Sequence, residues 1–170
     1  MTRERRNPLD RYAHDLPVGA VQWIGLRPKR REPLTAVTET TAVAERGLEG
    51  DHRMGKSPGS ARQVTLISRE FIDQIQHFTA IDDIDPGLLR RNIVISGLNL
   101  NALRRQRFRV GGAILEATAL CHPCARMDEN LGRGGVAAMI GHGGLCARII
   151  QTGAIKVGDD VAVIPADEWR

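Results

Sequence analysis

The fold is decided by an early pair of β-rich segments, Val18-Gly-Ala-Val-Gln-Trp-Ile-Gly-Leu26 and Leu34-Thr-Ala-Val-Thr-Glu-Thr-Thr-Ala-Val43. Both segments are rich in β-branched residues, whose side chains favour an extended backbone. The residues between them are rich in proline and arginine, which is typical of a turn. The two segments therefore predict a β-hairpin at the start of the folded domain.

Further short apolar runs, bounded by glycine or polar turns, predict more strands along the chain. They fall at residues 62–68, 92–96, 107–110, 113–120, 145–151 and 160–164. A helix is predicted over residues 69–78, where apolar residues recur with helical spacing after Ser68 as N-cap, and a helical turn at 86–90. Because strands clearly outnumber helices, the predicted fold class is mainly β (α+β), an antiparallel β-barrel with a few short helices.

Length and composition indicate one folded domain. Of the 170 residues, 42% are hydrophobic, which is enough to fill a single core. Residues 1–17 are polar and mixed in charge, so we expect a flexible N-terminal arm followed by one domain over residues 18–165. No apolar run reaches the roughly 18 residues needed to span a bilayer, and no apolar signal core follows the first residues. We therefore expect a cytoplasmic protein without membrane contact.

The charge of the chain indicates an anionic ligand. The net charge is +4, and lysine occurs only at positions 29, 56 and 156, so arginine carries most of the positive charge. Arginine binds phosphate and carboxylate through paired hydrogen bonds. Of the arginine clusters, we interpret residues 27–31 and 104–109 as solvated faces. Nucleic acid is not an expected partner, because only 4% of the residues are aromatic and no base-stacking platform is visible.

The string Gly50-Asp-His-Arg-Met-Gly-Lys56-Ser57 matches the phosphate-binding loop of nucleotide hydrolases letter for letter. That loop works only between a buried strand and a helix whose amides face the phosphates. The preceding residues 44–49 are not a buried strand, and a Pro-Gly-Ser turn followed by an extended segment comes next. We therefore do not interpret this string as a nucleotide site.

The cysteines are the strongest candidates for chemistry. Cys124 follows an apolar strand and precedes a Gly-rich segment, and His122 and Arg126 lie within two residues of it. Because nearby cations stabilise a thiolate, Cys124 is a candidate soft-metal ligand or sulfur carrier. Three cysteines cannot form a complete set of disulfides, so each role must be considered singly.

Zinc is an alternative use of these residues. Cys121 and Cys124, followed by His142 and Cys146, form two close pairs with a spacing that zinc accepts. However, Cys146 lies in the apolar strand at 145–150, where a buried cysteine usually acts as a small hydrophobic residue. We therefore expect no zinc. A thioredoxin-like role for the Cys121-His-Pro-Cys124 motif is also disfavoured, because no βαβ unit leads into it.

Several short segments occur along the chain in an order that is more specific for a protein family than any single segment is. They are Gly47-Leu-Glu-Gly-Asp-His-Arg53, Arg62-Gln-Val-Thr-Leu-Ile67, Arg91-Asn-Ile-Val94 with Gly97-Leu98, Pro123-Cys124 and Gly153-Ala-Ile-Lys-Val-Gly-Asp159. In this order the chain resembles the MOSC domain family, named for the C-terminal domain of molybdenum-cofactor sulfurases, over roughly residues 18–165. The resemblance implies a MOSC-type β-barrel in which Cys124 is the motif cysteine and Cys121 and Cys146 are structural.

The resemblance implies two kinds of chemistry at Cys124. In the first, as in amidoxime-reducing and bacterial hydroxylaminopurine-detoxifying proteins, the thiolate ligates the molybdenum of a molybdopterin-type cofactor, and N-hydroxylated substrates are reduced. In the second, Cys124 carries a persulfide and delivers its sulfur to a metal centre. The chain would then be a molybdenum-dependent oxidoreductase or a sulfur transferase. We favour the first, and a non-catalytic pterin- or partner-binding module is the third alternative.

A pterin cofactor also needs cationic and polar groups that hold its phosphate. Arg62 and Arg91 begin predicted strands in matched segments, so we expect them to converge near Cys124. The full set of candidate cofactor-binding residues lies in or beside matched segments and strand ends: His52, Arg53, Arg62, Arg91, Asn92 and Arg148.

A protein partner is expected in either case. The chain has no ferredoxin-type cysteine set or Rossmann glycine fingerprint, so electrons would come from a separate electron-donor protein. It also lacks the pyridoxal-phosphate desulfurase domain of the sulfurases, so a sulfur carrier would need a cysteine desulfurase. Pyridoxal phosphate itself is not expected here, because Lys56 lies in a Gly/Ser/Pro-rich loop rather than in a desolvated pocket.

Overall fold

The structure, a computed structural model, describes residues 8–169, which form eleven strands and three α-helices. The strands are β1 (Gly19–Leu26), β2 (Thr35–Val37), β3 (Glu39–Val43), β4 (Gly47–Leu48), β5 (Val64–Ser68), β6 (Ile93–Ser96), β7 (Arg107–Val110), β8 (Ala113–Leu120), β9 (Leu145–Gln151), β10 (Gly153–Lys156) and β11 (Asp160–Ile164). The helices are α1 (Arg69–Thr79), α2 (Arg126–Leu131) and α3 (Gly135–Met139). Short 3-10 helices occur at Pro8–Asp15, His52–Gly55, Pro86–Leu89, Leu100–Leu103 and Ala166–Glu168.

Seven strands close into a barrel in the order β1, β6, β5, β9, β8, β7 and β11. The barrel closes where β11 pairs with β1, through Gly19 opposite Val161 and Ala20 opposite Asp160. β2 extends the sheet at the other end of β1, and β3, β4 and β10 form a separate three-stranded sheet. The predicted mainly β barrel with a few short helices is confirmed.

One strand pair in the barrel is parallel, that of β5 with β6. Parallel neighbours need a crossover connection, and α1 together with the 3-10 helix Pro86–Leu89 provides it. α1 begins as the sequence predicts: the Ser68 hydroxyl accepts a hydrogen bond from the Phe71 N–H at 3.1 Å. Its C-cap residue, Ala80, adopts a left-handed conformation that ends the helix.

The strands β5 and β6 are buried on both faces and so separate two apolar clusters. Leu66 and Ile93 point into the barrel interior, whereas their neighbours Ile67 and Val94 face a second cluster beneath the helices. This alternation follows from the two-residue repeat of a strand. Met127 of α2 also belongs to the second cluster. The cluster therefore fixes α2 against the barrel.

The sequence located most of the barrel strands and missed the shortest elements. The predicted hairpin is confirmed by the antiparallel pairing of β1 with β2, although Thr38 separates β2 from β3. β4, β10, α2 and α3 were not predicted. β4 has only two residues, β10 begins at a glycine interpreted as a turn, and α2 and α3 are too short to show a helical repeat.

The beginning of the predicted arm, residues 1–7, lies outside the described residues. Residues Pro8–Asp15 form a 3-10 helix in which Ala13 is buried. This helix contacts β11 and the 3-10 helix Leu100–Leu103. Among residues 8–169, none of the helices combines the length and the apolar character needed to cross a membrane.

Candidate functional site

A cleft of about 630 Å³ is lined by an unusually cationic set of side chains together with Cys124. None of its lining residues in the described chain is an aspartate or a glutamate. The formally cationic residues are seven arginines and one lysine: Arg27, Arg30, Arg31, Arg53, Lys56, Arg62, Arg90 and Arg126. His52 and Met127 complete the lining. A site with this charge selects an anionic ligand.

Cys124 lies in the short connection between β8 and α2, and its side chain is exposed. Its backbone carbonyl accepts a hydrogen bond from the Met127 N–H at 2.8 Å, and Met127 is itself anchored in the second apolar cluster. Cys121 and Cys146 are buried, with 2% and 7% of their surface exposed. Cys146 is thus buried, as its position in an apolar strand predicted, and Cys124 is the exposed cysteine of the three.

The two buried cysteines influence each other's protonation. Their mutual interaction lowers the pKa of Cys121 and, together with burial, raises that of Cys146, and the Arg91 charge favours the Cys121 thiolate further. The ring of His142 lies elsewhere, 5.3 Å from the Phe71 ring. The residues proposed as an alternative zinc site therefore do not form one cluster, and no group of three or more metal-ligating side chains occurs among residues 8–169. The expected absence of zinc stays a prediction.

Asp51 organises one wall of the cleft. Its carboxylate accepts hydrogen bonds from the backbone N–H groups of Arg27 at 3.0 Å and Arg53 at 2.9 Å, and it pairs with Arg27 Nε at 3.3 Å. Burial alone would raise the pKa of Asp51, but the Arg27 charge and these hydrogen bonds lower it below its usual value. Asp51 thus holds the start of the turn His52–Gly55 against the end of β1.

Asn92 was predicted to contact the cofactor and instead supports this wall from behind. Its side chain is buried, and its amide donates hydrogen bonds to Asp51 Oδ2 at 2.8 Å and to the Gly25 carbonyl at 3.0 Å. Its Oδ1 accepts a hydrogen bond from Arg27 Nη2 at 2.9 Å. The amide is therefore satisfied inside the protein, which favours a supporting role for Asn92, and its direct contact with a ligand stays a prediction.

Arg91, the next predicted cofactor-binding residue, also lies inside the protein. It is 4% exposed, and its guanidinium donates hydrogen bonds to the carbonyls of Gly143 at 2.7 Å, Leu89 at 3.0 Å and Cys121 at 3.2 Å. Burial lowers the pKa of Arg91. The residue does not line the cleft. Arg91 therefore fixes the backbone that precedes Cys124 rather than offering its charge to a ligand.

Arg148 also lies away from the cleft. Its Nη2 forms an ion pair with Glu116 Oε1 at 3.2 Å, and Arg107 pairs with the other carboxylate oxygen of Glu116 at 2.9 Å. Arg148 is on β9, whose partner in the register at this point is Glu116 of β8. Glu116 thus engages Arg148 Nη2 across the strands, whereas Arg148 Nε is buried without a hydrogen-bond partner in the described chain. The cofactor contact of Arg148 stays a prediction.

The three remaining candidates, His52, Arg53 and Arg62, are brought together in the cleft. Arg53 Nη1 donates a hydrogen bond to the Arg62 carbonyl at 3.3 Å, whereas Arg53 Nε and His52 Nδ1 are buried without a hydrogen-bond partner. Burial first, and then the charges of Arg27 and Arg62, lower the pKa of Arg53. The crowding of positive charges around a buried guanidinium nitrogen fits an anion-binding site.

Sequence reasoning missed a second group of cleft residues. Arg27, Arg30 and Arg31 were interpreted as a solvated face, but all three line the cleft together with Arg90. Arg27 directly follows β1 and is 4% exposed. The available signal was the position of this cluster at the end of an apolar strand, where polar side chains often meet a ligand.

Comparison with known proteins decides the family. A family model of the MOSC domain matches residues 49–162. The chain belongs to the MOSC domain family. The matched MOSC segment contains Asp51, the turn with His52 and Arg53, and Cys124. It therefore includes the thiol and most of the cationic cleft.

Solved structures show the same MOSC barrel. The YuaD protein from Bacillus subtilis is 18% identical, with a TM-score of 0.75 over 87% of this chain and 96% of that one. YiiM from Escherichia coli is 19% identical, with a TM-score of 0.64 over 86% of this chain and 70% of that one. YiiM from Geobacillus stearothermophilus is 16% identical, with a TM-score of 0.67 over 88% and 76% of the two chains. Comparison with curated proteins gave no significant match.

The titration of His52 provides a test of the MOSC cleft. Burial and the charges of Arg27, Arg53 and Lys56 lower the pKa of His52 below 6.5, against a smaller opposite effect of Asp51. A bound anion favours the imidazolium form, so added phosphate should raise the pKa of His52. By the same linkage, phosphate should bind more tightly as the pH falls towards the pKa of His52. NMR titration of the imidazole signals, assigned with His52→Gln, measures both effects. The exposed His77 on α1 is the control, and a His52 signal indifferent to phosphate would contradict an anion site here.

Proposed function

We propose that this chain binds a molybdopterin-type cofactor, with Cys124 as the thiolate ligand of molybdenum and the cationic cleft as the site of the cofactor's phosphate. The observation that carries the proposal is an exposed thiol in the wall of a cleft with eight cationic residues and no carboxylate among its lining residues. A thiolate suits a soft, redox-active metal, and guanidinium groups suit phosphate. The donor set of the cleft therefore fits both ends of such a cofactor.

The protein's own residues would bind and orient this group. Asp51 fixes the Arg27 side chain and the backbone of Arg53, so these two cations are already ordered before a ligand arrives. Arg91 and Met127 hold the backbone on either side of Cys124. Arg53 Nε and His52 Nδ1 have no hydrogen-bond partner among residues 8–169 in this arrangement, so neither is committed to another group of the described protein. Such preorganisation reduces the entropy lost on binding.

When bound, the cofactor would supply two-electron reduction of an N-hydroxylated substrate. The electrons would come from a separate electron-donor protein, which is part of the proposal. The second candidate function is a persulfide carrier supplied by a cysteine desulfurase, and the exposure of the Cys124 side chain favours it. The carrier, however, gives no role to the cationic cleft, so we place it second.

The experiment uses the full chain produced in cells able to synthesise the molybdenum cofactor. Native mass spectrometry and elemental analysis then separate the alternatives. Bound molybdopterin with about one molybdenum per chain supports the cofactor-binding function. A mass increase of one sulfur atom on Cys124 supports the persulfide carrier instead, and neither product would leave a non-catalytic binding module.

Arg62→Ala tests the phosphate end of the cleft. Loss of a charge-assisted hydrogen bond should weaken phosphate binding by about tenfold to a hundredfold, and molybdenum occupancy should fall with it. The backbone carbonyl that Arg53 contacts is retained in this variant. Arg104→Ala is the matched control, because Arg104 is exposed and lines a different cavity. Equal phosphate affinities in the two folded variants would mean that Arg62 does not hold the anion.

A further inference from the structure

A second cavity of about 340 Å³ adjoins the cleft. The two cavities share three lining residues, Arg31, Arg90 and Arg126, which we call the arginine ridge. Cys124 and His52 line only the cleft. A ligand on the ridge can therefore extend either towards the thiol or into the second cavity.

The arginine ridge brings three guanidinium groups together without a direct carboxylate partner from the described part of the chain. Within residues 8–169, none of its three guanidinium groups forms an ion pair with a carboxylate. Arg90 Nη1 donates instead to the backbone carbonyl of Glu32 at 3.0 Å. Burial and the neighbouring charges of Arg126 and Arg27 lower the pKa of Arg90. An anion on the ridge would relieve this repulsion.

One cofactor phosphate does not account for all of this charge. A phosphate monoester carries about two negative charges at neutral pH, whereas the cleft offers eight cationic residues. Three cationic residues line the cleft but not the second cavity: Arg53, Lys56 and Arg62. Their combined charge already exceeds what one phosphate needs. The ridge therefore remains available for a second anion.

The second cavity differs from the cleft in its chemistry. Leu34 and Leu88 give it an apolar wall, and Leu88 is 42% exposed. Asp85 and Glu129 add carboxylates, which the cleft lining lacks. A ligand that fits has an anionic group for the ridge, an apolar body for the leucines and nitrogen-bound hydrogen donors for the carboxylates.

We propose that the arginine ridge and the cavity beside it form a substrate subsite for a small organic anion, a carboxylate or a phosphate monoester, with an apolar body and nitrogen donors. As a substrate subsite it rests on the proposed function, because the substrate must reach a metal held at Cys124. As a binding site it can be measured on the purified full chain with or without cofactor.

The binding test uses three probes and amide chemical shifts in NMR titrations. Inorganic phosphate reports on the cleft, 4-(aminomethyl)benzoate on a carboxylate source and 4-(aminomethyl)phenyl phosphate on a phosphate source. We expect at least one organic probe to bind about tenfold more tightly than inorganic phosphate and to shift the amides of Gly87, Leu88 and Asn130. Organic probes that bind no more tightly than inorganic phosphate, or that leave these amides unchanged, would overturn the subsite.

Leu88→Asp and Val157→Asp form a matched pair of variants. Leu88 and Val157 are 42% and 45% exposed, the charge change is the same, and Val157 lines neither cavity. Leu88→Asp should weaken the preferred organic probe about tenfold and leave inorganic phosphate within about twofold, whereas Val157→Asp should change neither. Equal losses in the two variants would overturn the proposal, as would a selective loss of molybdenum from Leu88→Asp, which would assign the cavity to the cofactor.

The subsite and the cofactor-binding function can fail separately. A wild-type protein without molybdenum that still binds an organic probe through Leu88 would contradict the cofactor and retain an organic-anion site. A molybdenum-loaded protein whose organic probes shift only the turn His52–Gly55 would retain the cofactor and contradict the subsite.

Discussion

Replacing Cys124 with serine is expected to lower the molybdenum content of the protein by at least about tenfold while the barrel stays folded. A serine hydroxyl remains protonated at neutral pH and is a poor ligand for a soft metal. The Cys124 side chain is exposed, so the substitution removes no core packing. The measurement is molybdenum per chain, with the unfolding midpoint in urea as the check on folding.

Cys146→Ser is the control for this experiment. Cys146 is buried beside Cys121 and lines no part of the cleft, so this variant should keep its molybdenum even if its stability falls. The opposite pattern, with molybdenum lost from folded Cys146→Ser and retained in Cys124→Ser, would show that the ligand has been assigned to the wrong thiol. A persulfide carrier gives a third pattern. The additional sulfur atom seen on Cys146→Ser is then missing from Cys124→Ser, and neither variant contains molybdenum.

Replacing Arg91 with alanine is expected to reduce the free energy of unfolding by at least about 3 kcal/mol, because three buried carbonyl groups lose their partner. Arg91→Lys should be intermediate, since an ammonium group cannot reproduce the planar spread of donors. Urea denaturation measures the difference. Arg148→Ala is the control, because its half-exposed ion pair with Glu116 is expected to contribute only about 0–1 kcal/mol.

Comparison of Arg91→Ala with Arg148→Ala also distinguishes a structural role of Arg91 from a role in ligand binding. Suppose that Arg91→Ala has the same urea midpoint of unfolding as the wild-type protein and loses only phosphate affinity. The Arg91 guanidinium of the wild-type protein would then turn towards the cleft in solution. A loss of stability larger than that of Arg148→Ala supports the internal role. Cofactor loss in Arg91→Ala is informative only at temperatures where the variant remains folded.

The sequence predicted the fold and the exposed thiol of the cleft more reliably than the residues around that thiol. The strands β7, β8, β9 and β11 agree with their predicted bounds, because two-residue alternation and glycine turns are local signals. Cys124 could be singled out because its flanking residues and its place in the family motif are visible without a structure.

The identity of the ligand-facing arginines could not be predicted in the same way. Arg91 and Arg62 both precede a strand, yet one guanidinium is enclosed by three carbonyls and the other lines the cleft. The difference arises because the Gly143 and Cys121 backbones lie against Arg91, and these contacts join distant parts of the chain. The Glu116 partner of Arg148 could not be predicted for the same reason, since the β8–β9 register sets it.

The way the barrel closes sets the order in which the chain can assemble. β1 lies near the beginning of the described chain and β11 near its end, and their pairing is the final link of the ring. Contacts so distant in sequence carry a high loop-closure entropy and slow folding. The parallel β5–β6 pair and α1 can form earlier from neighbouring segments. We therefore expect ring closure to be a late folding event, so that a cofactor would enter only after β11 has been synthesised.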